Sequence, residues 1–308
     1  MREERCITID GQPYSVMISD EQEALLAAHA AGGALVGLWD EKHPEWSLAP
    51  AEYVVESLGD VTEEFLERVV LRKLGRPWVI CETDRLVVRE FEVADASQVP
   101  KEKTWQKKSE EQGNAEDSDD FEELENSKNT ENLENLNIVE YKNADSIFYD
   151  KDKLQAYIDS QYRFYEYGIW ALVDKSSGKL IGKAGIFNGE DLPEEGLEIG
   201  YHVFEPYRKQ GYAFEACEGI LKYAAEQLSV CQSTSRVQEE MKRSTENQEC
   251  GEREDELRMS LYAKIDPSNE VSIHLAKKLG FELTARKYTE STQSHDLYVW
   301  SCSQSPEV

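Results

Sequence analysis

Apolar and polar positions divide the chain into two regions of different pattern. The first region predicts alternating helices and strands, with glycines where a helix has to end in the left-handed conformation. Its elements are predicted as a helix that begins at a capping box at Ser19 and ends at Gly32 and Gly33, strands over residues 34–39 and 53–55, and a helix capped by Asp60 with Glu63 at its third position. This α-β-β-α order predicts a small Rossmann-like α/β half-domain over residues 1–77.

From residue 82 onward the pattern is that of one α+β domain, which we expect to extend to residue 303. Period-two alternation indicates strands, and apolar residues at intervals of three and four indicate amphipathic helices. The predicted elements are a strand over 83–90, a short helix over 91–98, a long helix over 145–167, strands over 169–173 and 179–187 joined by a turn at 176–178, a strand over 197–204, a helix over 211–228, a strand over 257–265, a helix over 269–279, and strands over 281–288 and 297–300.

Two polar stretches interrupt the second pattern and are predicted to be acidic low-complexity insertions, at about residues 101–142 and 231–256. The whole chain of 308 residues carries 62 Asp and Glu against 34 Lys and Arg, a formal net charge of −28. Because binding to phosphate backbones needs a basic face, this charge excludes a nucleic-acid partner. An acidic surface is compatible with a cationic substrate, and the needs of solubility explain it equally well.

Neither a membrane anchor nor a metal site is expected. The apolar run over residues 34–39 is far shorter than the roughly 20 residues of a membrane span, and residues 1–5 do not resemble the start of a signal peptide, so we expect a cytoplasmic protein without a membrane partner. The six cysteines are scattered, with no C-x-x-C pair and no histidine at ligand spacing. We therefore interpret them as reduced thiols.

The stretch from Leu197 to Ala213 is the most informative part of the sequence. A strand leads into a short basic loop with Arg208, Lys209 and Gly211, and a helix begins at once. Glycine lets backbone N–H groups approach a phosphate, the helix N-terminus adds partial positive charge, and the two cations add formal charge. This pattern predicts an anion cradle over residues 208–213 that suits a pyrophosphate. The alternative is an ordinary strand-to-helix turn with surface cations.

Three motifs of the sequence point to one known family. Arg208-x-x-Gly211-x-Ala213 resembles the R/Q-x-x-G-x-G/A signature of the GNAT family of N-acetyltransferases. Asn269-x-x-Ser272, followed by Lys278-Leu279-Gly280-Phe281, resembles its N-x-x-S…K-x-G-F segment, and Glu82-Thr83-x-Arg85-Leu86-x-x-Arg89 resembles the first strand of the branch that contains the ribosomal-protein N-terminal acetyltransferases. The resemblance implies a mixed, mainly antiparallel sheet flanked by helices, with a V-shaped splay between its fourth and fifth strands.

The resemblance also implies a site for acetyl-CoA as co-substrate and no metal. In the family the pyrophosphate lies on backbone amides of the signature loop, and the pantetheine arm pairs with the preceding strand. Carried over by position, the cofactor-binding residues are Tyr201, His202, Val203, Arg208, Lys209, Gln210, Gly211, Tyr212, Ala213 and Asn269. Ser272 occupies the place where some members of the branch have a hydroxyl near the thioester sulfur. For His202 itself, we expect a packing role rather than a catalytic one.

The transfer reaction requires a base and an acid. A primary amine with a pKa near 10 is mostly protonated at pH 7, and freeing it costs roughly 4 kcal/mol, so a carboxylate or an ordered water has to accept its proton. Glu198 is our candidate, with Asp191, Glu194 and Glu195 as rivals; Glu198 could also be a structural strand residue.

The family's general acid is absent from its usual place. Many members carry a tyrosine seven residues after the asparagine, and here that position is Ala276. Ser272 or water is left to protonate the thiolate. The Ser272 hydroxyl could equally make only a local bond at the start of its helix.

Two functions follow from these observations. The first is an N-acetyltransferase that transfers an acetyl group from acetyl-CoA to a primary amine, of a small molecule or a protein N-terminus, by direct attack in a ternary complex. The alternative is a non-catalytic acyl-CoA-binding regulatory protein. The sequence leaves the acceptor, the role of the insertions and the oligomeric state open.

In the N-terminal region, LLAAHAAGGALVGLW at residues 25–39 leads to LAPAEYVVESLGDVTEEFL at residues 48–66. This order of elements resembles the last third of a haloacid-dehalogenase-type hydrolase over about sixty residues. Those enzymes take their nucleophile from a D-x-D motif, and Asp10-Gly11-Gln12 lacks the second carboxylate. We therefore expect no phosphatase activity and favour a structural or ligand-sensing role for this region.

Overall fold

The computed structural model describes residues 1–100, 145–189, 192, 196–228, 260–290 and 293–300. Both predicted insertions, at 101–142 and 231–256, lie outside the described residues. Within the described residues the chain forms two β-sheets, one of four strands and one of eight. None of the described helices is long and apolar enough to cross a lipid bilayer.

The four-stranded sheet contains the N-terminal region in the order β1-β2-β3-β4. Strands β2, β3 and β4 are parallel, and β1 pairs with β2 as an antiparallel hairpin. The elements of this region are β1 (Arg2–Ile9), β2 (Gln12–Ser19), α1 (Gln22–Ala30), β3 (Ala34–Leu38), β4 (Val54–Val55) and α2 (Glu63–Lys73). Apolar residues of α2, among them Val69 and Val70, pack against the sheet and form its core.

The hairpin corrects the predicted α-β-β-α order, which omitted its two strands. Asp10 and Gly11 form the turn with φ angles of 50° and 77°. An Asp-Gly pair between strands is the preferred sequence of a tight hairpin turn with two positive φ angles, so the signal was present in the sequence.

The two predicted helix caps are also corrected. Helix α1 has Glu21 as its N-cap, with no side-chain cap, because the Ser19 hydroxyl accepts the N–H of Glu21 before the helix begins. Helix α2 is capped by Thr62, whose hydroxyl accepts the N–H of Phe65, and not by Asp60. The predicted glycine end of α1 is confirmed, since Gly32 has a φ of 79°.

The eight-stranded sheet has the order β11-β12-β10-β9-β8-β7-β6-β5. All neighbouring strands are antiparallel except β9 and β10, which are parallel. Its elements are β5 (Val79–Glu82), β6 (Leu86–Arg89), α3 (Asp145–Tyr149), α4 (Lys151–Tyr157), α5 (Arg163–Tyr165), β7 (Ile169–Asp174), β8 (Leu180–Asn188), β9 (Gly196–Val203), α6 (Tyr212–Gln227), β10 (Ser260–Ile265), α7 (Glu270–Lys278), β11 (Phe281–Glu290) and β12 (Gln293–Trp300).

Two short elements near the start of this sheet differ from prediction. The strand expected over 83–90 is a hairpin of β5 and β6, because residues 83–85 turn the chain. The helix expected over 91–98 is a 3₁₀ turn, Val93–Ser97, closed by reciprocal bonds between Glu92 and Asp95.

The long helix expected over 145–167 is broken. Asp150 caps α4 with its carboxylate, and a π-helical turn, Ile158–Tyr162, separates α4 from α5. The hydroxyls of Tyr157 and Tyr162 both bind the backbone of Ile169, the first accepting its N–H at 2.7 Å and the second donating to its carbonyl at 2.6 Å. Positions five residues apart point in different directions on an α-helix, and the wider π turn brings them together.

The V-shaped splay predicted from the family resemblance is present between β9 and β10. The two strands pair only at Gly196 with Ser260, at Leu197 with Leu261 and at Glu198 with Tyr262. Beyond these residues they separate. They are the fourth and fifth strands when the sheet is counted from β6, and β5 is an additional strand before it.

Three ion pairs join the N-terminal region to the large sheet, and we call these six residues the seam. Arg72 and Glu90 lie 2.6 Å apart with only 6% and 3% of their side chains exposed. The other pairs are Arg68 with Glu166 at 3.2 Å and Glu52 with Arg163 at 3.0 Å.

The seam lies at one end of the large sheet, because Glu90 follows β6 and Glu166 precedes β7. Strand pairing from β7 to β8 and from β8 to β9 places the beginning of β9 at the same end. The division of the chain into units of 1–77 and 82–303 stays a prediction.

Candidate active site

The anion cradle connects the end of β9 to the beginning of α6. After a 3₁₀ turn, Glu205–Tyr207, the backbone takes left-handed conformations at Lys209 and Gly211, with φ angles of 62° and 85°. Successive N–H groups beside such conformations form a concave site for anions. A Cβ at Gly211 would lie 3.4 Å from the Arg85 guanidinium, on a backbone that side chains rarely adopt.

Gly211 is also the N-cap of α6 and has no side chain with which to cap it. The first N–H groups of an α-helix have no partner within the helix, and the helix dipole places partial positive charge there. Tyr212 and Ala213 supply the first of these groups. The cradle therefore offers converging backbone donors of the kind that fits a diphosphate.

Arg208 extends back from the cradle onto β9. Its Nε donates to the carbonyl oxygen of Val203 at 2.8 Å, and one terminal nitrogen lies 2.8 Å from Nε2 of His202. The His202 ring also packs edge-on against Phe204, at 5.9 Å between centroids. Both side chains thus fix the cradle to the strand that precedes it. Gln210 closes the loop by donating to the carbonyl of Pro206 at 3.2 Å.

Arg85 contacts the cradle from outside it, and sequence reasoning did not connect this residue with the site. It donates to the carbonyl of Gln210 at 2.9 Å, lies over the ring of Tyr212 at 4.3 Å, and forms an ion pair with Glu215 at 2.5 Å. Burial acts to raise the pKa of Glu215, but hydrogen bonds from Thr83 and Arg85 outweigh it and lower this pKa below its usual value. Arg85 belonged to a recognised motif, but no spacing in the sequence connects it to residues 210–215.

Tyr201 and Ser272 meet inside the splay. The Tyr201 hydroxyl donates to the Ser272 hydroxyl at 2.8 Å, which joins β9 to the first turn of α7. Asn269 is the N-cap of α7, and its side-chain oxygen accepts the N–H of Ser272 at 3.1 Å. Burial raises the pKa of Tyr201, and the bond with Ser272 partly opposes this. Ala276 lies buried one turn further along α7.

Glu198 lies on the opposite face of β9 from Tyr201. Side chains alternate along a strand, and Leu197, Ile199 and Tyr201 pack on the core shared with α6. Glu198 is nearly buried, with its Oε2 3.7 Å from Nζ of the equally buried Lys264 on β10. The rivals Asp191, Glu194 and Glu195 lie outside the described residues.

Lys264 was also missed, because only the pairing of β9 with β10 places it beside Glu198. In the described part of the chain, no group of three or more His, Cys, Asp and Glu side chains could hold a metal ion. The cysteines among those residues, Cys6, Cys81 and Cys217, are free thiols.

Comparison with known families agrees with this geometry. The family model for the acetyltransferase (GNAT) domain matches residues 85–282, which include the cradle, the splay and α7. The chain belongs to the GNAT acetyltransferase family. GNAT enzymes use acetyl-CoA as acetyl donor, and this GNAT protein is an N-acetyltransferase.

The search of solved structures found acetyltransferases that are similar to this GNAT chain at low sequence identity. An acetyltransferase from Agrobacterium tumefaciens is 17% identical, with 71% of this chain and 92% of that chain covered and a TM-score of 0.40. A ribosomal-protein-S5-alanine acetyltransferase from Vibrio fischeri is 14% identical, with 73% and 97% covered and a TM-score of 0.42. A GNAT-family acetyltransferase from Bacillus anthracis is 15% identical, with 71% and 95% covered and a TM-score of 0.37.

Proposed function

We propose that this protein transfers the acetyl group of acetyl-CoA directly to a primary amine, of a small molecule or a protein N-terminus, while both substrates are bound. The observation that carries the proposal is the separation of β9 from β10 after Glu198, directly before the cradle. The backbone of residues 199–203 has no partner on β10, and a strand edge of this kind suits an extended amide-bearing arm.

In this proposal the cradle, residues 208–213, holds the pyrophosphate on the backbone N–H groups that follow Arg208, whose own N–H donates to the carbonyl of Glu205 at 3.3 Å. The pantetheine arm lies along Tyr201, His202 and Val203, and the amide of Asn269 reaches it from the other side of the splay. Acetyl-CoA supplies an activated acyl group, and the backbone N–H groups of β9 stabilise negative charge on its carbonyl oxygen. The protein's contribution at this end is therefore placement through backbone geometry.

Glu198 is proposed as the general base. The carboxylate is nearly buried, and Lys264 offsets part of the cost of burying its charge. It lies on the face of β9 opposite to Tyr201, so an amine approaching from that face meets the base without crossing the splay. The carboxylate accepts the proton of the amine, directly or through one water.

Ala276 supports the alternative of a non-catalytic acyl-CoA-binding protein, since the family's usual tyrosine is absent there. The two proposals separate on turnover. Both require acetyl-CoA binding, and only the first requires release of free CoA in the presence of an amine.

The test is calorimetric titration with acetyl-CoA and with CoA, followed by a thiol-release assay. The amine panel contains small primary amines and peptides with a free N-terminus, and each peptide is matched by its N-terminally blocked form. We expect micromolar binding and thiol release that depends on the free amine. Acetyl-CoA binding without thiol release across the panel would favour the alternative. Absence of acetyl-CoA binding would mean that residues 208–213 form only an ordinary strand-to-helix turn.

A further inference from the structure

We propose that Tyr201 is a positioning residue that orients the Ser272 hydroxyl and renews its proton, so that the pair protonates the departing thiolate. This inference rests on the proposed function and names the group that takes the place of the absent tyrosine. It is carried by the 2.8 Å hydrogen bond from the Tyr201 hydroxyl to Ser272 across the splay.

The bond fixes the direction of the serine proton. Ser272 uses its backbone N–H in the cap with Asn269, so its main chain is fixed at the first turn of α7. Its oxygen accepts the proton of Tyr201, which leaves its own O–H to donate in another direction. A hydroxyl held in this way has lost most of its rotational freedom before any substrate binds.

The small side chain at Ala276 fits this arrangement. Ser272 and Ala276 lie four residues apart, on the same face of α7. Tyr201 packs against the core that contains Ala276, so the phenol reaches Ser272 from the strand side. The tyrosine hydroxyl is supplied by β9 instead of by α7.

The proton balance is complete with the groups present. When the amine has attacked and the C–S bond breaks, the sulfur leaves with the electron pair. Ser272 donates its proton to the sulfur and takes the proton of Tyr201, and the phenolate regains a proton from solvent, while the amine proton has gone to Glu198. Burial raises the pKa of the Tyr201 phenol above its usual value near 10, yet a phenol still gives up a proton far more readily than an isolated alcohol. It is therefore the better final proton source of the two for a thiolate, whose conjugate thiol has a pKa near 8.5.

A purely structural role for the contact predicts different measurements. If the bond only joined β9 to α7, its loss would lower stability and acetyl-CoA affinity and would leave the protonation of sulfur unchanged. Tyr201→Phe separates the two roles, because it keeps the ring in the core and removes only the hydroxyl. Tyr223→Phe is the matched control, since Tyr223 is a buried tyrosine of α6 that lies outside the site.

The first experiment measures thiol release with an amine that the wild-type enzyme acetylates. For Tyr201→Phe we expect kcat to fall about 10- to 100-fold, with the KM for acetyl-CoA within about twofold and a larger loss at high pH, where solvent is a poorer acid. Ser272→Ala and the double variant should lose about as much as Tyr201→Phe alone, because the pair acts as a unit. A kcat within about twofold of wild type, or equal losses in kcat and affinity, would overturn the proposal.

The second experiment needs no acceptor. The thiol of bound CoA is titrated by the ultraviolet absorbance of its thiolate, with CoA itself as probe. A donor aimed at the sulfur lowers the pKa of that thiol, so we expect it to be higher in Tyr201→Phe and Ser272→Ala than in wild type and Tyr223→Phe. Equal values in all four proteins would refute the relay. Failure of wild type to bind CoA would instead contradict the proposed function.

Discussion

The two ends of β9 present different chemical groups, backbone N–H donors at one end and buried charged side chains at the other. At its C-terminal end, the cradle is a continuous loop whose donors are backbone N–H groups. At its N-terminal end, Glu198 is a buried side chain beside Lys264 from another strand, and the seam lies at the same end of the sheet. The comparison teaches that the proposed cofactor end depends on backbone conformation, while the proposed acceptor end depends on the identity of buried charged side chains.

The largest effect is expected at the acceptor end. Glu198→Gln should lower kcat about 1,000-fold, because an amide cannot accept the amine proton, and acetyl-CoA affinity should stay within about twofold. Thiol-release kinetics measure the change in kcat, and calorimetry measures the acetyl-CoA affinity. The change also removes the carboxylate that lies 3.7 Å from Nζ of Lys264, so urea denaturation of the same variant separates a loss of stability from the loss of the base. A nearly normal rate in this variant would remove Glu198 as the base.

The seam gives the next largest effect. Arg72→Met should reduce the free energy of unfolding by about 3 kcal/mol, because Glu90 keeps a buried charge without its partner. Neutralising both residues with Arg72→Met/Glu90→Gln should restore part of this loss, as measured by urea denaturation. Acetyl-CoA affinity should stay constant, because the cradle lies at the opposite end of β9 from the seam. Weaker acetyl-CoA binding in Arg72→Met would contradict the separation of the two ends.

At the cradle, Gly211→Val should weaken acetyl-CoA binding about 100-fold, as measured by calorimetry. The reason is that the left-handed φ of 85° is unfavourable for valine and the side chain would approach Arg85. Gly178→Val is the matched control, because Gly178 has a similar φ of 66° in a turn with nothing within 4 Å of a Cβ. Equal affinity losses in both variants would show strain without a role in binding.

The smallest effect is expected for Arg85→Ala, about a tenfold loss of acetyl-CoA affinity with kcat unchanged. Arg85 does not belong to the loop; it holds the Gln210 carbonyl and the Tyr212 ring in place. Arg76→Ala is a suitable control, since Arg76 makes an exposed ion pair with Asp10 in the N-terminal region. Unchanged affinity in Arg85→Ala would mean that the cradle keeps its conformation unaided.

How well the sequence predicts a contact depends on how far apart its two residues lie along the chain. The cradle and the Asn269 cap are local, so motif and spacing are enough to find them. The splay followed from family resemblance and is confirmed by the pairing of β9 and β10. The bonds of Arg85 with Glu215 and of Tyr201 with Ser272 join residues that lie 130 and 71 positions apart. No periodic pattern in the sequence indicates contacts over such distances.

The errors have two physical causes. The hairpin was omitted although its signal is present in the sequence, because Asp10-Gly11 is a typical sequence for its tight turn. The broken helix could not be found locally, since the π turn depends on two tyrosine hydroxyls that bind β7. The proposed roles of the site residues stay predictions.

The position of Glu198 and Tyr201 on opposite faces of β9 has a kinetic consequence. If each substrate reaches the strand from its own face, neither blocks the entrance of the other. Product inhibition should then show CoA competing with acetyl-CoA but not with the amine, and the acetylated product competing with the amine alone. Inhibitors directed at the two entrances should be able to occupy the enzyme at the same time.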